Sequence, residues 1–303
     1  MSLSQAEAVA DTTVATEEVG GSLVAEAWRL LRRDKVAITG AVMVAVFVLV
    51  AIIGPWIAPY AATDRAGAVT PTTIPGPSSQ FWFGLDDLGR DELSRVILGA
   101  RQSLLVGVVS LTLGMIGGLA LGILAGAFGG WVDGLVMRVC DIMLAVPGLL
   151  FAIGIAAMLG QSLQSVMIAI AVVNVPIFAR LLRGQMLRQR EADYVSAATS
   201  VGVRRRIIVF RHIVPNSVSP VIVQGTLTLA TAIIDAAGLA FLGLGGSDPS
   251  VPEWGRMLVD SQDYLSGAFH LAIFPGLAIV FAAFGFTLLG ERLREALDPK
   301  YRR

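Results

Sequence analysis

The chain has 303 residues, of which 55% are hydrophobic and 15% charged, and its formal net charge is zero. A soluble domain of this size needs more polar surface, so the composition points to an integral membrane protein. A balanced charge excludes a general polyanion binder, and no nucleic-acid partner is expected. The lone cysteine, Cys140, cannot form an internal disulfide, and its apolar neighbours predict a buried packing thiol. The two histidines, His212 and His270, make no cluster with it at metal-ligand spacing, so no metal site is expected.

Residues 1–35 read as a cytoplasmic tail. Its start is acidic (Glu7, Asp11, Glu17, Glu18) and is expected to be disordered. The basic lead-in Arg29, Arg32, Arg33, Lys35 precedes a long apolar run with no small-residue cleavage site, which excludes a secretory signal. A bilayer core needs about 20 apolar residues per helix. The first such run is 36–58, closed by Pro55 and Pro59. Residues 59–103 are rich in Pro, Gly and Thr and are predicted to be extracytoplasmic. A core of five further helices follows over 104–292. The second helix is predicted at 104–128, with Gly114, Gly118 and Gly122 at a spacing that lets backbones approach closely. A tight turn near residues 129–131 leads to a third helix at 135–159. The polar stretch 160–165 separates it from a short fourth helix at 166–182. A long cytoplasmic loop spans 183–217. The fifth helix is placed at 218–244, an outside segment at 245–267, and the sixth helix at 268–289. Residues 293–303 form a cytoplasmic tail. The prediction is therefore an all-α integral membrane protein with six transmembrane helices.

Charge placement orients the set. With the N-terminus inside, most of the 23 Lys and Arg fall in cytoplasmic segments, and inversion would place that excess outside. Both termini are thus expected in the cytoplasm. Trp56, Trp82 and Trp254 are read as interfacial anchors.

The loop 183–217 is patterned. Residues 191–199 suit one short helix, Gly202 interrupts it, and 203–210 suit a second. On helical spacing Val203, Ile207, Phe210 and Val214 share one face, with Arg204, Arg205 and Arg211 off it. Pro215 is read as the stop. Such a helix can lie on the membrane or plug into a partner groove. Three charges fall within apolar helices: Arg138 and Asp141, spaced to pair on one face, and Asp235. Asp141 and Asp235 are candidate pathway residues, with local pairing or a hydrogen bond to a neighbouring helix as the alternative.

The stretch Tyr194-Val195-Ser196-Ala197-Ala198-Thr199-Ser200-Val201-Gly202, followed by Ile207, His212-Ile213 and Pro215-Asn216, resembles the EAA loop of ABC importer permeases. Ser196 stands where that family usually carries Glu. The run from Phe83 to Arg95, with Asp86, Gly89, Arg90 and Asp91, and then Gly99-Ala100-Arg101-Gln102-Ser103-Leu104, is similar to a signature of the peptide/nickel permeases. So are Asp141 with Pro147-Gly148, and Phe241 to Gly245 with Pro252 and Trp254-Gly255. Trp28 to Arg33 and Ala58-Pro59-Tyr60 resemble the start of the C-type subunit.

The resemblance implies a type I ABC importer permease fold. It makes Tyr194, Ala197, Ala198, Gly202, Val203, Arg204, Ile207, Phe210, Arg211, His212, Pro215 and Asn216 the loop that docks on an ATPase. It makes Asp86, Gly89, Arg90, Asp91, Arg95 and Trp254 an extracytoplasmic signature. Implied partners are a homologous second permease in a heterodimer, two ABC ATPase subunits or a fused ATPase, an extracytoplasmic substrate-binding protein that touches residues 59–103 and 245–267, and the lipid bilayer of a bacterial inner or plasma membrane. The implied cargo is a di- or oligopeptide, with nickel, heme or glutathione as alternatives. A phosphate-cradling loop needs Gly-Lys before Ser or Thr, whereas Lys35 follows Asp34 and Lys300 follows Pro299. The chain is therefore expected to be non-catalytic and to bind no cofactor, with ATP and Mg on the partner subunits. Two other readings stay open from the residues alone: a secondary transporter relaying protons through Asp141 or Asp235, and a membrane scaffold that only binds the ATPase. Discontinuous helices with an inverted repeat would favour the first.

Overall fold

The computed structural model describes residues 28–297 apart from 71, 72 and 247. The acidic start of the N-terminal tail and the end of the C-terminal tail, where sequence reading placed disorder and a basic terminus, lie outside the described residues. Among the described residues the elements are helices joined by loops, with only isolated bridges such as Arg65 to Arg90. We number the main helices α1 (Lys35–Ile57), α2 (Glu92–Phe128), α3 (Gly130–Ala145), α4 (Gly148–Leu159), α5 (Leu163–Arg190), α6 (Asp193–Ser200), α7 (Ser219–Phe241), α8 (Trp254–Asp260) and α9 (His270–Leu297). Five of these are long and apolar enough to cross a membrane, and α3 with α4 makes a sixth if the bent pair is one span.

Local chemistry sets the ends. Asp34 caps α1 by accepting from the N–H groups of Val36 (2.7 Å) and Ala37 (3.0 Å). Asp91 caps α2 by accepting from the Ser94 N–H at 2.8 Å, so α2 starts twelve residues before the predicted 104. Ser162 caps α5 in the same way from Ser165 N–H at 3.0 Å. This helix runs on past the predicted 182 to Arg190, because its last turns leave the apolar layer while their backbone hydrogen bonds continue. The third predicted helix is not continuous. Pro147 lacks an N–H and forces Val146 into extended geometry (φ −93°, ψ 133°), and α3 and α4 meet at 94°. The predicted tight turn is present: Gly129 and Gly130 both have positive φ, at 66° and 54°.

Small residues bring the long helices together. A Cβ on Gly114 would stand 2.8 Å from the Ala171 carbonyl oxygen, one on Gly118 2.7 Å from that of Val175, and one on Gly122 2.8 Å from that of Ala179. The predicted Gly spacing on α2 is thus the seam along which α5 packs. Gly40 of α1 and Gly285 of α9 make a second crossing, against Leu289 and Met43. An aromatic group joins α1, α8 and α9: Phe47 lies 5.4 Å from Trp254 and 6.1 Å from Phe286, ring centroid to centroid. Trp254 is buried here, which corrects its reading as an interfacial anchor, whereas Trp56 and Trp82 are exposed. Cys140 is buried, as its surroundings predict.

The seam gives a direct test. Gly118→Ala should destabilise the protein by about 1–3 kcal/mol through overpacking. Gly154→Ala, which meets nothing within 4 Å, should be neutral. Thermal unfolding in detergent measures both, and equal melting temperatures would contradict the seam.

Candidate functional site

The loop between α5 and α7 folds into a compact helical segment. α6 ends at Gly202, which has φ +79°. The Gly202 N–H donates to the Thr199 carbonyl and the Val203 N–H to the Ala198 carbonyl, both at 3.0 Å. This pair of bonds closes the helix and requires the left-handed residue that only glycine adopts freely. A short α-turn (Arg205–Ile207) follows, then a π-helical turn (Ile208–Ile213) and a last turn (Val214–Ser217). Pro215 does not stop the helix, as its type suggests; the path continues to Ser217. Asn216 Nδ2 donates to the His212 carbonyl (2.8 Å) and Ser217 Oγ to that of Ile213 (2.7 Å).

The π-turn also corrects the predicted apolar face, because one extra residue per turn rotates everything beyond it. Ile208, Val209 and Ile213 are buried against Phe178, Leu182 and Met186 of α5, with Val195 and Val221. Val203 and Val214 rest on the edge of that core. Ile207 and Phe210 point away, at 45% and 60% exposure. Tyr194, Ala197 and Val201 add to the exposed apolar surface, and Arg204 and Arg211 flank it. The Tyr194 hydroxyl donates to Gln189 Oε1 at 2.7 Å, and its ring lies 6.5 Å from that of His212.

On the opposite face of the molecule the charged residues of the 83–95 run meet in one cluster. Asp86 Oδ1 accepts from the N–H groups of Leu88 (2.9 Å) and Arg90 (2.8 Å). Its Oδ2 pairs with Arg90 Nε at 2.5 Å and Arg95 Nε at 3.4 Å. Both guanidinium groups then donate to the Pro249 carbonyl, Arg90 at 2.7 Å and Arg95 at 3.3 Å, and Arg95 also reaches the Ala62 carbonyl at 3.1 Å. Gly89 packs on the Gly67 carbonyl, and its own carbonyl accepts from the Ala66 N–H at 2.8 Å. Trp254 Nε1 donates to the Val96 carbonyl at 2.9 Å. These signature side chains face inward and bind the two loops 59–91 and 242–253 to each other. Burial pushes the Glu253 carboxyl above the ordinary glutamate value, against the pull of the Gly255 and Arg256 N–H groups that it caps.

The intramembrane charges sort differently from the sequence expectation. Asp141 pairs with Arg180 on α5, not with Arg138, which is exposed. Asp133 makes a parallel pair with Arg183 at 2.5 Å. Asp235 is half-buried on α7 and has no hydrogen-bond or ion-pair partner among the described residues.

Residues 118–303 match the family described as binding-protein-dependent transport system inner membrane component, and residues 22–70 match the N-terminal TM domain of oligopeptide transport permease C. The chain belongs to the peptide-family ABC importer permeases. It is 46% identical over 277 residues to the dipeptide transport system permease protein DppC of Alkalihalophilus pseudofirmus, covering 91% of this chain and 89% of the relative. It is 45% identical over 275 residues to the glutathione transport system permease protein GsiD of Escherichia coli O6:K15:H31, covering 91% and 90%. In fold it resembles the inward-facing MetNI methionine ABC transporter (TM-score 0.56, 18% identity, 68% of this chain and 97% of that one). An amino acid ABC transporter is similar at TM-score 0.52 and 14% identity, over 66% of this chain and 92% of that one.

The permease thus has the type I importer fold that its motifs imply. The break at Pro147, a feature expected of secondary transporters, occurs here within an ABC family. Sequence reading of the permease missed Glu92, which is 2% exposed with Oε1 unpaired among the described residues. It also missed His270, whose Nε2 lies 3.2 Å from the Leu85 carbonyl oxygen, and the stacking of Phe83 on Phe274 at 3.8 Å. A charged residue just after a capping Asp was the available signal for Glu92; nothing local marked His270.

Removing Asp86 leaves two buried guanidinium groups without their carboxylate. Asp86→Ala should cost about 3–5 kcal/mol, the range for breaking a buried pair from one side. Asp141→Ala, whose pair with Arg180 is half-exposed, should cost less than about 1 kcal/mol. Chemical or thermal unfolding of the purified permease ranks the two, and a reversed order would refute the assignment.

Proposed function

We propose that the chain forms half of the translocation path of a small-peptide importer and is driven by ATP hydrolysis on partner subunits. Its termini face the cytoplasm, in line with the placement of Lys and Arg. A homologous permease supplies the other half of the path, two ABC ATPase subunits or a fused pair dock below, and a substrate-binding protein delivers cargo from outside. The chain itself is non-catalytic: ATP and Mg belong to the ATPases. The similarity to dipeptide and glutathione permeases supports a peptide cargo, and nickel or heme are the alternatives within the same frame.

The observation that carries this reading is the exposed pair Ile207 and Phe210 on a segment whose other apolar residues are packed. An apolar pair on a firmly seated helix, flanked by Arg204 and Arg211, suits a groove on an ATPase. Aromatic anchors at interfaces cost roughly 2–4 kcal/mol when truncated. Phe210→Ala should therefore weaken ATPase association by about one to three decades while the protein still inserts in the membrane. Co-purification and uptake in liposomes both read the effect. Full association together with wild-type uptake would mean that the segment merely lies on the membrane.

Asp235 is the pathway candidate. A lone carboxyl within a membrane helix is costly and suits contact with a peptide amino group. Asp235→Asn should slow uptake several-fold, on the order of the tenfold that 1.4 kcal/mol represents, with assembly intact. Unchanged uptake of several peptides would return Asp235 to a packing role.

A further inference from the structure

The coupling segment lies between α5 and α7 in the chain, so those two helices are the obvious recipients of its motion. Its charged contacts lead to a third. α2 ends at Phe128, and its last carbonyls have no partner within the helix. Arg190, at the end of α5, donates Nη1–H to the Gly126 carbonyl at 3.3 Å. Arg205, in the first turn after Gly202, donates Nη2–H to the Ala127 carbonyl at 2.6 Å, across 78 residues of sequence. A cation at a helix C-terminus is also favoured by the helix dipole.

The far end of α2 is built into the outer polar cluster. Asp91 caps it, and Arg95, on its first turn, holds the carbonyls of Ala62 and Pro249. Between the two ends α2 is 37 residues long, or about 55 Å at 1.5 Å per residue. It contains no proline, whereas α5 and α9 carry Pro176 and Pro275 within them. An unbroken helix fixed at both ends transmits displacement, while proline breaks the hydrogen-bond ladder where it falls.

We propose that Arg205 is a positioning residue for coupling, gripping the C-terminal end of α2 so that movement of the docked segment drives α2 as a strut and, with it, the outer cluster. This rests on the ATPase-docking reading above. Arg205 differs from Phe210 in its role: Phe210 faces the partner, and Arg205 faces the permease's own helix.

The test uses the complete importer, with partner permease and ATPase subunits, in liposomes. A fluorescent label at exposed Leu88 in the outer cluster reports nucleotide-dependent change. Arg205→Ala should leave ATPase co-purification and basal hydrolysis at wild-type levels. Uptake per ATP hydrolysed should fall about five- to tenfold, the low end for a charged hydrogen bond open to solvent. The Leu88 signal should lose its response. Arg205→Lys, which keeps a cationic donor, should restore at least half of the uptake. If Arg205→Ala fails to assemble, Arg205→Gln retains one N–H donor and carries the same test. Loss of ATPase association in Arg205→Ala would make Arg205 a docking residue and overturn the proposal. Unchanged uptake, or a Lys variant as poor as the Ala variant, would overturn it too. Failure of the wild-type chain to bind any ATPase would instead refute the function proposed above.

Discussion

The close approach of α2 and α5 is the constraint on which the remainder of the structure depends. In lipid, apolar side chains gain little by leaving one apolar environment for another, so helix pairing rests on backbone proximity and fit. Gly114, Gly118 and Gly122 supply that proximity against Ala171, Val175 and Ala179. Once the seam is set, Phe178, Leu182 and Met186 of α5 are presented at one end, and Ile208, Val209 and Ile213 of the coupling segment close over them. The direction in which Ile207 and Phe210 point is therefore decided inside the bundle, by residues that never touch a partner.

The two faces of the molecule solve the problem of charge in different ways. In the outer cluster Asp86 is shared by two arginines, each of which also satisfies a backbone carbonyl from the opposing loop. A buried ion pair is not a strong source of net stability, because both groups lose water. What this one supplies is register: the Pro249 carbonyl has a single place that satisfies both guanidinium groups. At the inner ends of α3 and α5 the pairs Asp133–Arg183 and Asp141–Arg180 are partly exposed. Exposed pairs contribute about 0–1 kcal/mol, so α3 is held less firmly than α2, although both pack on α5.

Much of this was legible in the sequence, and what was not has physical reasons. Long apolar runs located the spans, and glycine spacing located the α2–α5 seam. Gly202 was read correctly as a turn, since no other residue adopts its backbone geometry freely. Helix ends were misplaced wherever a helix outlasts the apolar layer: α2 extends back to Asp91 and α5 on to Arg190, and hydropathy carries no signal for turns that stand in water. The charged signature around Asp86 announced a shared motif without announcing that it is buried, because burial here depends on Pro249 and Ala62, distant in sequence. The pairing of Asp141 with Arg180 was invisible for the same reason. Local spacing offered Arg138, and the packing of α3 on α5 offered a different partner.

The coupling segment shows what a single irregularity does to a surface. In a regular α-helix Val203, Ile207, Phe210 and Val214 lie on one stripe, which turns wholly inward or wholly outward. The π-turn at Ile208–Ile213 adds a residue and divides the stripe. Val203 and Val214 join the inner core, while Ile207 and Phe210 remain outside. The backbone carbonyls disturbed by the turn and by Pro215 are met by Asn216 and Ser217, so the irregular geometry is held in place. A wholly outward stripe would offer more apolar area but would have little beneath it. A divided stripe offers a small apolar point on a seated base. Ordering a loose helix on binding subtracts from affinity, and a surface already fixed by its own core avoids that loss. The same seating makes the segment a lever: force applied at Phe210 is borne by the α5 core and by the Arg205 contact with α2, and is not spent on bending the loop.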